Sequence, residues 1–179
     1  MSRARLLERL EQRWNDLLES YAGLSEADMA VPGVVGRWSV KDLVAHVSAW
    51  EEESLKHVPA ILAGRRPPRY SVTYGGIDAF NAQAAERVRD LPLAEVLRRR
   101  DATHRRLLGL IAGLPGESLV GETRVRRRLR LDAYGHYPTH AGAIRRWRER
   151  RRDGGGRPRC AERSGSRMTT NGEQGGSRP

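Results

Sequence analysis

An all-α chain folded as a four-helix bundle, with one short additional helix, is the fold that this sequence predicts. Three observations carry the prediction. Apolar residues recur at three- and four-residue steps through four long segments, the signature of a helix with one buried face. Alternating, strand-type patterning is nearly absent. The connections are short, and helices joined by short connections bury their stripes against one another.

Residues 2–22 read as the first helix. Leu6, Leu7, Leu10, Trp14, Leu17, Leu18 and Tyr21 share a face, Ser2 can cap it and Gly23 ends it. Residues 24–29 can add one short turn, and 31–36, with Pro32, Gly33 and Gly36, read as a loop. The second long helix is expected over 40–62. Ser39 and Asp42 stand three apart, as in a capping box, and Val40, Leu43, Val47, Trp50 and Ser54 make one stripe. Pro59 should kink or shorten this helix. After a linker at 65–70, residues 77–87 read as the short extra helix. The third long helix starts at Pro92 and runs to about Leu114, with Arg100 and His104 in the middle of its apolar stripe. Residues 117–130 read as loop. The last helix is expected over 132–150, with Tyr137, His140, Ile144 and Trp147 facing inward and Pro138 weakening its start. The predicted domain spans residues 1–152. Residues 153–179, rich in Gly, Arg and Ser, are expected to be a disordered tail.

Composition narrows the function classes. No stretch approaches the roughly 18 apolar residues of a membrane span, and residues 1–9 carry charge throughout, unlike a signal peptide. These features predict a cytoplasmic protein with no membrane partner, either a monomer or a homodimer. Cys160 is the only cysteine, so neither an internal disulfide nor a cysteine metal site can form. The net charge of +11 predicts nonspecific affinity for nucleic acid at low salt. Lys41 and Lys56 are the only lysines, and the arginine-rich composition is also what a GC-rich coding sequence produces. Few aromatic residues interleave with the arginines, as a base-stacking platform would require.

Five histidines hold the chemical interest: His46, His57, His104, His136 and His140. His46 lies at the edge of the second-helix stripe. An imidazole there is either a buried side chain with a local hydrogen bond or a ligand pointing into the bundle. His136 and His140 form H-x-x-x-H, and imidazoles four apart on a helix project from one face and can share one ion. His46 is the candidate third ligand. Three protein nitrogens leave an open position, the catalytic kind of site. Tyr137 and Pro138 follow His136, so the H-E-x-x-H pattern of zinc proteases is absent. His57 lies eleven residues beyond His46, about 16 Å along a helix, and cannot join the same ion. His104 reads as a hydrogen-bonded core residue beside Arg100 and a carboxylate.

The run from Gly36 to Glu51, G-R-W-S-V-K-D-L-V-A-H-V-S-A-W-E, resembles the second-helix signature of the DinB-like superfamily, and within it is most similar to the ClbS/DfsB-like four-helix-bundle proteins. The runs Phe80 to Leu97 and Tyr134 to Arg148 are similar to the same group, and the resemblance covers about residues 3–150. It implies a four-helix bundle and, at matching positions, a divalent ion (zinc or nickel) on His46, His136 and His140. Pro138, between the last two, departs from the pattern. Functions in the superfamily include thiol-dependent transfer and, in the ClbS-type members, hydrolytic opening of a DNA-alkylating electrophile. The expectation is therefore a detoxification or self-protection protein, a metal-assisted hydrolase or thiol transferase with a small-molecule substrate. Tyr134 or Tyr137 would position or protonate that substrate, Trp38 and Trp50 would wall the pocket, and Arg100 and His104 would contact the ligand. The alternatives are a bundle that sequesters a small molecule without turnover, and a DNA-associated stress protein.

Overall fold

The computed structural model describes residues 1–154. The tail expected over 153–179 lies almost entirely outside the described residues. Four long helices form the bundle: α1 (Arg3–Tyr21), α3 (Val40–Leu62), α6 (Leu93–Ala112) and α8 (Tyr137–Gly154). Short helices fill the connections: α2 (Glu26–Ala30), α4 (Tyr70–Thr73), α5 (Ile77–Glu86) and α7 (Arg124–Leu129). α3 packs along α6, and α1 along α8. Among the described residues the only extended pairing is an isolated bridge between Val35 and Trp38.

The expected stripes are the buried ones. Leu6, Leu10, Trp14 and Leu17 of α1 meet Ile144 and Trp147 of α8 and Leu107 and Ile111 of α6 in one core. The Ser39 hydroxyl accepts from the Asp42 N–H while the Asp42 carboxylate accepts from the Ser39 N–H at 2.9 Å, so α3 opens on a complete capping box. Pro59 does not shorten α3. It sits in the last turn, where the helix can lose one carbonyl partner and still run to Leu62. A second, smaller core gathers Phe80 and Ala84 of α5 against Ala49, Trp50, Tyr70 and Tyr74.

Two expectations about the C-terminal third are corrected. The stretch 117–130 is not a plain loop: it holds a 3-10 turn, Gly116–Leu119, and the helix α7. Thr123 caps α7 by accepting from the Arg126 N–H at 3.1 Å. Val125 and Leu129, four apart, are both buried, whereas Leu131 is 63% exposed. The apolar residues of this stretch are thus one helical pair plus a surface leucine. The last helix does not begin at Asp132 either. A wide π-type turn, Arg130–Tyr134, intervenes, and α8 begins at Tyr137. Pro138 explains the delay, since a residue without an N–H fits only the first turn of a helix, where no partner is needed.

Candidate metal centre

α3 and the start of α8 face each other, and three histidines meet between them. The capping box fixes where α3 begins, which places His46 inward in its second turn. His136 immediately precedes α8 and His140 lies in its first turn. The three rings turn their Nε2 atoms toward one another: His46 to His136 is 3.1 Å and His136 to His140 is 2.8 Å. Each can offer a ligand nitrogen within 4.8 Å of the others. Nitrogens bound to one ion at about 2.0–2.1 Å stand roughly 2.9–3.4 Å apart, depending on geometry, so the His46–His136 and His136–His140 pairs already stand near the separations that a shared divalent ion requires.

The electrostatics agree with that fit. Burial, with the neighbouring rings adding to it, pushes the His46 pKa down to about 2. Burial and His136 push His140 down to about 3. Burial lowers His136 to about 4, against a smaller opposing pull from the Asp132 backbone carbonyl. All three rings are thus neutral at physiological pH, and a neutral imidazole carries the lone pair that a cation takes. The Nδ1 atoms of His46 and His140 are buried without a protein partner. Three nitrogen donors without a carboxylate suit zinc, nickel or copper better than magnesium or calcium.

The triad opens onto two connected lobes, which share His46 and Asn81. One, about 410 Å³, runs past His140 to Trp38. The other, about 390 Å³, runs past His136 to Trp50, Tyr70 and Arg128. The Trp38 ring lies 4.9 Å from that of His46. It is delivered there by the bridged turn 34–38, in which Gly36 takes φ +55°, a conformation that glycine adopts without strain. Trp50 stands 6.0 Å from His136, and its indole N–H donates to Asn81 at 3.1 Å.

The structure thus brings together five of the sequence-selected residues: His46, His136, His140, Trp38 and Trp50. The other four lie elsewhere. Tyr134 is packed in the core. Tyr137 is fully buried and donates to Glu51. Burial, with Glu51 beside it, raises the Tyr137 pKa well above the ordinary phenol value. His104 stacks on Trp14 at 3.7 Å, and its Nδ1 meets Glu51 at 2.8 Å. Arg100 donates to the Tyr21 hydroxyl at 2.6 Å and to Asp101. Neither Arg100 nor His104 lines a lobe of the triad.

Sequence reasoning missed several polar residues around the site. Glu51 is completely buried. Its position was readable, because it follows Val47 by four and precedes Ser54 by three, on the buried stripe that Trp50 only flanks. Asp132 is buried, bonded by Ser54 at 2.8 Å and by Arg128 four residues earlier. Burial raises its carboxyl to about 6 despite that cation. Glu53 accepts from Tyr70 at 2.8 Å, Tyr74 at 2.9 Å and meets His57 at 2.8 Å. Arg128 and His57 stand four residues from these carboxylates, within reach of local spacing, whereas Ser54, Tyr70 and Tyr74 are partners that no local spacing signals.

A model of the DinB superfamily matches residues 9–147. The chain belongs to the DinB superfamily. Solved structures share the fold at low identity. "Sibling Lethal Factor Precursor – DfsB" superposes with a TM-score of 0.72 at 17% identity, over 85% of this chain and 98% of that one. The colibactin self-resistance protein ClbS, crystallised in complex with dsDNA, gives 0.71 at 16%, over 83% and 96%. An uncharacterised protein from Escherichia coli UTI89 gives 0.71 at 15%, over 84% and 95%. No curated protein sequence matches the chain. Within the DinB superfamily, likeness at these identities establishes the fold.

Proposed function

We propose that this protein disposes of a small electrophilic metabolite by metal-assisted hydrolysis or thiol transfer, in a detoxification or self-protection role. The observation that carries the reading is the convergence of three neutral imidazoles, two buried and one half-buried, at the meeting of two lobes. A divalent ion on His46, His136 and His140 would supply Lewis acidity at the lobe junction, toward a bound water, thiol or electrophile. The chain's own residues do the rest. Trp38 and Trp50 provide apolar walls that exclude water from a bound ligand. Asn81, shared by both lobes, offers an amide for orientation. Tyr137 acts through Glu51, tying the start of α8 to α3 and so holding His136 and His140 opposite His46. The self-resistance role of the structural neighbour ClbS supports the same reading.

The test is metal content per chain by plasma mass spectrometry, on protein purified without a histidine tag. About one equivalent of zinc or nickel in the wild type, lost in His140→Ala, is the expected result. Turnover of a model epoxide or cyclopropane, with and without added thiol, then separates hydrolase from transferase. Stoichiometric loss of the electrophile without turnover would instead mean sequestration. If His46→Ala leaves both metal and activity unchanged, the reading fails.

A second reading, a DNA-associated protection factor, is favoured by the duplex DNA bound to ClbS and by this chain's net charge of +11. Charge-only association predicts a steep fall of affinity with salt and no sequence preference.

A further inference from the structure

We infer that the concave surface between the 65–70 loop and α7 is a binding site for phosphate groups, contiguous with the candidate metal centre. Arg66, Arg69, Arg124, Arg127 and Arg128 line a groove of about 610 Å³, with no carboxylate in its wall. The arginines of this region divide by direction. Arg126 and Arg130, which do not line the groove, lie within ion-pair distance of Glu122 at 3.5 and 3.8 Å. Among the described residues Arg66, Arg69, Arg124 and Arg127, which do line it, have no ion-pair partner. Uncompensated cations therefore gather on the concave side, where their fields add.

Two of the five are also held in place. Arg124 donates to the Arg65 carbonyl at 2.8 Å, tying α7 to the loop. Arg128 donates to the Tyr70 hydroxyl at 2.6 Å and is paired with Asp132. Pro67 and Pro68 stiffen the loop between Arg66 and Arg69. Guanidinium forks match phosphate oxygens in pairs, and four unneutralised forks carry more charge than a single carboxylate ligand would require.

The groove and the Trp50 lobe share Tyr70, Arg128 and Leu131. A ligand with its phosphate in the groove would extend past Tyr70 and Leu131 toward His136. The shared chemistry is a phosphate ester or diphosphate, from a small molecule or from a nucleic-acid backbone. Phosphate binding itself does not depend on the metal reading; the groove's role as a subsite of that centre rests on it.

The experiment titrates the full chain with inorganic pyrophosphate by calorimetry, and with a short DNA duplex by fluorescence anisotropy. The groove variant is Arg66→Ser/Arg127→Ser. The control, Arg105→Ser/Arg106→Ser, removes the same charge from exposed positions on α6. Saturable pyrophosphate binding, weakened about tenfold or more in the groove variant and unchanged in the control, is the result expected for a small phosphorylated ligand. Duplex binding with the same selective loss, without pyrophosphate binding, supports the site and assigns it to nucleic acid. No binding of either probe, or equal losses in both variants, overturns it. His46→Ala, run alongside, keeps pyrophosphate affinity if the groove stands, while its metal content, read separately, tests the metal centre.

Discussion

Three imidazoles sharing one buried junction set the protonation behaviour of the metal-free protein. All three folded pKa values lie below the ordinary histidine value, mainly through burial. As pH falls through about 6.5, the unfolded chain binds protons before the folded one. The stabilisation is therefore full above that pH and is lost as pH falls toward the folded values, about 4 for His136 and about 3 for His140. The unfolding free energy of metal-free protein, from urea melts, should drop between about pH 7 and about pH 5, by on the order of 1 kcal/mol per pH unit for each ring. His140→Asn should show a shallower drop, and an unchanged slope would contradict the assignment. Glu51 is a different case, a fully buried carboxylate served by Tyr137 and His104. Tyr137→Phe removes one donor without changing the packing volume much. It should cost about 1–3 kcal/mol in a urea melt, the cost of leaving a buried acceptor short.

The helix ends matter as much as the side chains, because they decide where the histidines stand. Ser39→Ala deletes the α3 cap and should cost about 1 kcal/mol by thermal melting. The π-type turn before α8 is more directly tied to the site. A Cβ on Gly135 would lie 2.6 Å from the Arg130 carbonyl oxygen, with the Arg130 side chain also close. Gly135→Ala must therefore open the turn, and it moves His136 relative to His140. The expected outcome is a lower melting temperature together with less than stoichiometric metal; normal metal content would show that the turn does not position the ligands. π-turns often occur at functional sites. Here the turn spans Arg130–Tyr134, two residues ahead of His136.

At the level of the bundle, an ion bridging α3 and α8 is also a cross-link between two helices whose contact is otherwise slight beside the α3–α6 and α1–α8 pairings. Binding only to the folded state raises stability with concentration, by about 2.7 kcal/mol at a hundredfold excess over the dissociation constant. Zinc or nickel should raise the melting temperature of chelator-treated wild type and leave His140→Ala unmoved. Equal shifts in both proteins would mean that the ion binds elsewhere.

The four long helices, their inward faces and the capping box of α3 were all legible in the chain. Each rests on local spacing: a 3.6-residue period read against solvent, or a hydroxyl three residues from a carboxylate. The three candidate ligands were also legible as residue types, two from their own helix spacing and His46 from its place at the edge of the α3 stripe, with the resemblance implying all three. Their convergence was not, because the distance between His46 and His136 depends on how α3 packs against the start of α8. The same holds for Glu51, whose partners lie on α6 and α8. Trp50 took its place in the sequence reading because a charged residue on an apolar stripe is paired only by chain that is far away in sequence. α7 carries four arginines, Arg124, Arg126, Arg127 and Arg128. The pairing of Arg126 with Glu122 is local, but the groove is not: Arg66 and Arg69 stand beside Arg124 and Arg127 only because packing brings two distant stretches of chain together, and a concave surface is a property of surfaces brought together and not of neighbours along the chain.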